Sequence, residues 1–365
     1  MKILCQQEEL AKFLQITSRA LASKTTLPIL TGILIESQDD HLRCVATDLE
    51  ISIEVKIPKV QILQPGSLVL PGKTFVEIVR HLPPSVITIE VDESVHMINI
   101  SSSRSSYQLP LLPVEEFPAL PEMKDGGHVL VSGEKIREAV KQTTYATLAE
   151  DPRPFLSSVL WEIDTEKLRL VATDINRLAI KDLTLESAIQ RTALIPVRAL
   201  REIANIFGAN SEEKLAIELD EKMLFVKGAG IVFSCRLVEA QFPRYEQVIP
   251  KDFSGVLAIK RSEFVEALER TALVSFSVKM AISDGQMVVT AKEPDKGRSY
   301  EEIPIELTGP PIEIGFNARF ILDFLKSIDS EQVFFKYTQE QKPALLQGID
   351  QEDYRYVVMP LKLTV

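Results

Sequence analysis

The phrase LRCVATDLEI at Leu42–Ile51 returns as LRLVATDINR at Leu168–Arg177, and this echo constrains the fold more than any other feature of the chain. Aligned without a gap at an offset of 126, positions 27–50 and 153–176 share ten identities. They are Pro28/Pro154, Leu30/Leu156, Leu34/Leu160, Glu36/Glu162, Leu42/Leu168, Arg43/Arg169, Val45/Val171, Ala46/Ala172, Thr47/Thr173 and Asp48/Asp174. Identity at that density marks a duplication. The period is far longer than the 20–50 residues of a solenoid repeat, so the repeating unit is a whole domain.

The same frame runs outward in both directions. EELAKFLQITSRAL (Glu8–Leu21) faces EKIREAVKQTTYAT (Glu134–Thr147). Leu10, Leu14, Thr17 and Leu21 in the first, and Ile136, Val140, Thr143 and Thr147 in the second, mark one face of a helix. Downstream, LVLPGKTFVEIVRHL (Leu68–Leu82) matches ALIPVRALREIANIF (Ala193–Phe207) as a strand followed by a helix, and Phe-Pro pairs in EEFPAL and AQFPRY close the units. A fainter third copy follows. RSEFVEALERTAL (Arg261–Leu273) reads as the first helix and IEIGFNARFILDFLKSI (Ile312–Ile328) as strand and second helix. YVVMPLKL (Tyr356–Leu363) takes the place of the Phe-Pro unit, and the copy is shortened around Val274–Asp284.

Short alternating runs such as ISIEVKI, LAIEL and YRYVVM, separated by Asp, Gly and Asn turns, are strand signals. The expected architecture is α+β: three repeated domains, 1–124, 125–250 and 251–365, each with two antiparallel sheets and two helices. In VATD, the β-branched and small residues end a strand and the Asp caps the turn that follows. Pairing of Asp48 with Asp174 as metal ligands is the weaker alternative.

Composition excludes several classes. The four histidines have no zinc-binding spacing, and no phosphate-binding loop, nucleophile elbow or dinucleotide fingerprint is present. No cofactor, metal or catalytic residue is expected. Cys5, Cys44 and Cys235 are scattered and form no CxxC pair, which fits buried thiols in a reducing cytoplasm. MKILCQQEEL turns polar too soon for a signal peptide. The net charge of −11 argues against simple coating of nucleic acid. The six predicted helices nevertheless sum to +3 and leave −14 for the rest.

TLPIL…LRCVATDLEISI, VATDINRLAI, FSCRLVEAQFPRYEQVIP, IEIGFNARFILDFL and the closing YVVMPLKL together resemble the β subunit of bacterial DNA polymerase III, the sliding clamp, over the whole chain. The resemblance implies a head-to-tail homodimer that closes a ring around duplex DNA, helices inward. It implies as partners the replicative polymerase catalytic subunit, the clamp loader, and other polymerases and repair proteins that dock by short peptide motifs. It places DNA contacts at Lys24, Lys73, Arg80, Arg153 (in the EDPRPF loop) and Arg198, and sets Tyr107 and Leu109 of one chain against Leu273 and Val274 of the other. It places a partner-peptide pocket between the second and third domains. The walls of that pocket are Arg153, Leu156, Thr173, Ile175, Arg177, Leu178, Pro243, Val248, Asn317, Phe320, Val357, Val358, Met359, Pro360 and Leu361, with Arg153, Arg177 and Asn317 fixing the peptide's polar groups.

This chain departs from the family's pattern in several places, one being Pro154 and Phe155 in the EDPRPF loop, where the family often carries further polar or aromatic residues. Ile175-Asn176 stands where Gly-His is common, Gln247 where Arg is common, and Thr364-Val365 extends past the usual end, where it would shade the groove. Apart from the resemblance, the acidic balance leaves a second reading open: a three-domain protein-binding scaffold that does not encircle DNA.

Overall fold

Each repeat builds its helices from the two predicted segments, giving α1 (Gln7–Thr17), α2 (Gly72–His81), α3 (Gly133–Thr143), α4 (Val197–Phe207), α5 (Arg261–Ala272) and α6 (Ala318–Ser327). The computed structural model describes all residues except 93, 125–127, 149–150, 186, 188, 209–213 and 363–365. The Thr364-Val365 extension and Glu150 of the EDPRPF loop therefore lie outside the described residues. In α1 the spacing of Leu10, Phe13, Leu14 and Thr17 puts them on one buried face. Thr17 and its repeat partner Thr143 each turn the hydroxyl onto the carbonyl one turn back, Phe13 O at 2.9 Å and Ala139 O at 2.7 Å. That bond lets a polar residue occupy a buried helix face.

The described strands pair antiparallel in four sheets of five, eight, nine and four strands. Each repeat contributes to two of them, and the two largest are shared. In the eight-stranded sheet, Ile231–Arg236 of the second repeat pairs with Ile51–Ile57 of the first, with Cys235 opposite Ile51. In the nine-stranded sheet, Tyr354–Val358 of the third repeat pairs with Arg177–Thr184 of the second, with Val358 opposite Arg177. Since Ile51 and Arg177 are repeat partners, Val358 corresponds to Cys235. The chain's last strand is thus equivalent to the strand FSCR. It does not take the place of the Phe-Pro unit, and this corrects the expected alignment of the third copy. The Phe-Pro units pack as loops instead, Phe117 and Leu120 against the Leu34–Val45–Val69 cluster and Phe242 with Tyr245 against Leu160–Val171–Leu194.

The ten identities now have physical roles. Pro28 and Pro154 open matching 3-10 turns, where a missing N–H costs nothing. The three Leu pairs, Leu34/Leu160, Leu42/Leu168 and Leu30/Leu156, are buried together with the Val-Ala pairs. Glu36 and Arg43 lie opposite one another across a strand pair, as do Glu162 and Arg169. Arg43 bonds Glu54 at 2.7 Å and Glu36, while Arg169 grips Asp182 at 2.6 and 2.8 Å. Fixed strand register is what makes these charges meet.

By packing, the chain forms two units. The first comprises Met1–Glu134 with Arg201–Leu237 and holds the five- and eight-stranded sheets. The second comprises Lys135–Leu200 with Val238–Val365 and holds the nine- and four-stranded sheets. The middle repeat divides between them, because its strands complete one shared sheet in each. No helix among the described residues is long and apolar enough to cross a membrane.

Candidate functional site

The two VATD turns share four hydrogen bonds, position for position, and the first adds Ser52 Oγ–H onto Thr47 Oγ1 at 2.8 Å. In the first, Thr47 Oγ1 donates to Ile51 O (3.0 Å) and accepts from Leu49 N–H (3.0 Å), while Asp48 Oδ1 accepts from the N–H groups of Glu50 (3.0 Å) and Ile51 (2.8 Å). In the second, Thr173 Oγ1 donates to Arg177 O (2.7 Å) and accepts from Ile175 N–H (3.1 Å), while Asp174 Oδ1 accepts from Asn176 and Arg177 N–H, both at 3.0 Å. Thr and Asp are the residues whose short polar side chains can satisfy a tight turn in this way. The neighbouring strand also docks alike in the two copies. Arg236 N–H donates to Glu50 O (3.0 Å), and Met359 N–H donates to Asn176 O (2.8 Å).

The copies differ in what fills the equivalent positions. Ile51 is plain core, whereas its partner Arg177 is a buried charge. Arg177 Nε donates to Asp174 Oδ2 (2.7 Å), Nη1 to Asp323 Oδ2 (2.6 Å) and Nη2 to Tyr145 O (2.6 Å). Its guanidinium lies 4.5 Å over the Phe320 ring and 5.3 Å from that of Tyr145. Behind it, Phe324 stacks on Tyr354 and Tyr356, and Tyr354 Oη donates to Gln142 O at 2.7 Å. Burial raises the ionisation of Tyr145, Tyr354 and Tyr356 above the usual phenol range. Three of its five N–H donors are thus engaged within the chain, tying the turn to helix α6 and to the Tyr145 carbonyl.

Two other polar residues of the expected pocket are similarly engaged. Asn317 caps α6, its Oδ1 accepting from Arg319 N–H at 3.0 Å. Arg153 is closed onto Asp151, with Nε 2.8 Å and Nη2 2.9 Å from the carboxylate, which also accepts Arg153 N–H at 2.9 Å. The Arg153 side-chain hydrogen bonds hold the Asp151 carboxyl down at about 2.

The remaining residues expected in the pocket divide by exposure. Leu156, Thr173, Leu178, Val357 and Val358 are buried, and Leu178 and Val357 belong to the core cluster that holds Leu160, Tyr245 and Leu345. Phe320 and Pro360 are half-buried, whereas Ile175, Pro243, Val248, Met359 and Leu361 are exposed. Val248 and Met359 meet in one cavity of about 570 Å³, together with Gln247, Ile249, Pro250, Lys251, Asp252, Pro343 and the loop residues Thr338, Gln339, Gln341 and Lys342. The sequence reading missed this loop. TQEQKP reads only as a polar turn, and nothing local says which distant strand it faces.

Among the residues expected between chains, Tyr107 is exposed on Ser105–Pro110, the edge of the five-stranded sheet, while Leu109, two residues on and on the same face of the strand, is buried in its own unit. Leu273, just past α5, is 77% exposed and Val274 is half-buried. Phe276 and Tyr300 are exposed as well, Tyr300 on Gly297–Pro304, the edge of the four-stranded sheet. Lys24, Lys73, Arg80 and Arg198 are all exposed, with Arg80 held by Glu77 at 2.7 Å.

Three family models match the chain in order: the N-terminal domain of the DNA polymerase III beta subunit over residues 1–121, its central domain over 130–244 and its C-terminal domain over 246–362. The chain is 30% identical to the beta sliding clamp of Vibrio cholerae and 31% identical to that of Streptomyces coelicolor, in each case over the whole of both chains. The crystal structure of the DNA polymerase sliding clamp from Bacillus subtilis superposes with a TM-score of 0.95 at 28% identity, covering both chains fully. That of the Pseudomonas aeruginosa clamp bound to griselimycin superposes with a TM-score of 0.94 at 28% identity, again over both full chains. With three domain models in sequence and full-length relatives above this level, the chain belongs to the DNA polymerase III beta subunit family, the beta sliding clamps.

Proposed function

We propose that the chain works in the cytoplasm without chemistry of its own, as a clamp that closes head to tail with a second copy around duplex DNA and docks its partners through the cleft around Met359. The observation that carries the ring is the pair of open sheet edges. An exposed edge strand bearing large apolar side chains is a liability unless something pairs with it. Here Ser105–Pro110 presents Tyr107, and Gly297–Pro304 presents Tyr300, with Leu273 and Phe276 also exposed. Joined between two copies, the five- and four-stranded sheets make nine strands, comparable to the eight and nine of the sheets already shared within the chain. Leu109, on the same face of that strand, is buried and anchors the edge strand in its own unit.

A tether that slides must hold DNA loosely, because each phosphate neutralised adds affinity by counterion release. Of the candidate contacts, Arg80 and Arg153 already carry a carboxylate, Glu77 and Asp151, and a phosphate would have to compete with it. Lys24, Lys73 and Arg198 complete a thin set of cations. Partners reach the clamp through short extended peptides whose apolar anchors enter between Val248 and Met359, since an exposed apolar patch with a polar rim suits such docking. The replicative polymerase, the clamp loader and repair proteins would share it in turn. On this reading the domain seams lie near Lys124 and Pro250.

The test is retention on DNA of different topology. The protein is loaded onto nicked circular DNA with a clamp loader and ATP, the circle is cut, and the bound fraction is followed at moderate salt. Release on cutting is expected. Equal retention on both forms would mean direct gripping, and no loading by a competent loader would favour a scaffold that never encircles DNA.

A further inference from the structure

The four sheets have eight edges, and an open edge recruits another strand unless it is blunted or covered. Three are closed by a backbone bond from a later segment: Leu112 N–H onto Val69 O (2.8 Å), Val238 N–H onto Leu194 O (2.9 Å) and Leu361 N–H onto Gly315 O (2.8 Å). Two are the short strands Gln61–Gln64 and Glu306–Thr308, whose ends are polar. Two more are the edges assigned above to the ring. The eighth is Val129–Ser132, which among the described residues pairs only with Lys214–Leu219.

The repeat shows what such an edge takes. Val129–Ser132 leads into α3 as Lys2–Gln6 leads into α1 and Gly255–Lys260 into α5. In the first repeat, Gln61–Gln64 lies antiparallel on the leading strand with Ile62 opposite Ile3. In the third, Glu306–Thr308 does so with Leu307 opposite Leu257. Each cover thus sets a half-buried branched aliphatic residue after a polar one. In the second repeat the residue equivalent to Gln61 is Ser187, whose N–H bonds Thr165 O (3.1 Å) instead, in the turn before Lys167–Thr173. The effect is visible at one position. Leu4 and Leu130 stand equally far from their helices, but Leu4, opposite Gln61, is half-buried, whereas Leu130 is 48% exposed. Ala216 lies opposite Leu130, Lys227 opposite Ala216 and Lys214 opposite Ser132, so Leu130 shares its sheet face with two exposed lysines.

We infer that Val129–Ser132 is a docking edge for an extended peptide of another protein, which adds an antiparallel strand with a branched aliphatic residue opposite Val129 and a glutamate opposite Leu130. Main-chain bonds along the open edge supply the affinity, and the alternate side chains supply the choice. The glutamate is favoured by Lys214 and Lys227 on that face, and Glu306 holds the matching place opposite Ala258 in the third repeat. This edge contains none of the residues assigned to the cleft, the ring or the DNA.

The probe is the chain's own cover, a fluorescein-labelled peptide of residues 303–309 (IPIELTG), titrated against the full chain by anisotropy. A second probe carries lysine in place of its glutamate. The wild type should bind the first about tenfold more tightly, and Lys227→Glu should remove most of that preference. Leu130→Glu should weaken the first probe about tenfold, through lost apolar contact and like charge. Its Tm should stay within about 2 °C of the wild type, because the residue is exposed. Methylating the probe's backbone nitrogens at Ile305 and Leu307, or at Glu306 and Thr308, should abolish binding in one case and spare it in the other, since alternate N–H groups point to opposite sides of a strand. Binding that survives Leu130→Glu, or that is indifferent to both methylations, overturns the inference. A smaller sedimenting species in Leu130→Glu overturns it too, because a second copy would then occupy the edge. Absence of binding by the first probe up to about 1 mM also overturns it, and leaves the cleft and the ring untouched.

Discussion

Arg177→Ala should destabilise the unit that contains it by about 4 kcal/mol. Removing one partner of a buried ion pair costs roughly 3–5 kcal/mol because a charge is left without compensation. Two observations place this case in the lower half of that range. Asp174 keeps two backbone N–H donors on Oδ1 at 3.0 Å, so only Oδ2 is orphaned. Asp323 is partly exposed and can rehydrate. That leaves about 3 kcal/mol, to which the lost stacking on Phe320 and Tyr145 adds about 1 kcal/mol. For a unit of roughly 190 residues, 1 kcal/mol corresponds to about 2–4 °C, so Tm of its transition should fall by about 10 °C. Calorimetry on the full chain measures this, alongside Arg177→Met combined with Asp174→Asn. The double variant removes the orphan charge and should lose less than about 2 kcal/mol, the non-additivity expected of neighbours in one network. If Arg177→Ala instead melts within about 3 °C of the wild type while peptide affinity drops, the network is not structural and the guanidinium is a free ligand for partners.

Three further outcomes follow from the same geometry. Thr47→Val and Thr173→Val each delete a hydroxyl that both donates and accepts within a buried turn. Each should cost about 1–3 kcal/mol in denaturant titration, with Thr47→Val the larger because it also orphans the Ser52 hydroxyl, and a larger loss at Thr173 would refute the reasoning. Burial pushes Cys5 up to about 12 and raises Cys44, Cys235 and the tyrosines Tyr145, Tyr354 and Tyr356 as well. Their contribution to stability is complete below the unfolded thiol value near 9 and is lost as pH rises toward 12. Chemical denaturation should therefore show a flat midpoint up to about pH 8.5 and a steep fall above it, with thiol labelling confined to the unfolded protein. Leu273→Asp should shift the sedimenting species toward monomer with Tm of the chain little changed. Leu109→Ala should cost about 2–5 kcal/mol through its cavity instead.

The sequence by itself determined the repeat, and with it most of the fold. Identities at a fixed offset, helix faces such as Leu10–Leu14–Thr17 and alternating strands are all local patterns, and local patterns are what backbone periodicity can read. Glu36/Glu162 and Arg43/Arg169 were visible as repeated charges, but their meeting across a strand pair depended on register. Only the tertiary structure decided which repeat's last strand completes which sheet, and this moved YVVMP from the Phe-Pro unit to the strand beside Arg177. It also decided that Arg177, Asn317 and Arg153 already have partners within the chain, and that Leu109 is buried where Tyr107 on the same strand face is exposed. Composition fixes which groups can pair, but the satisfaction of a buried charge or an edge strand depends on residues more than a hundred positions away, as Arg177 and Asp323 do on each other.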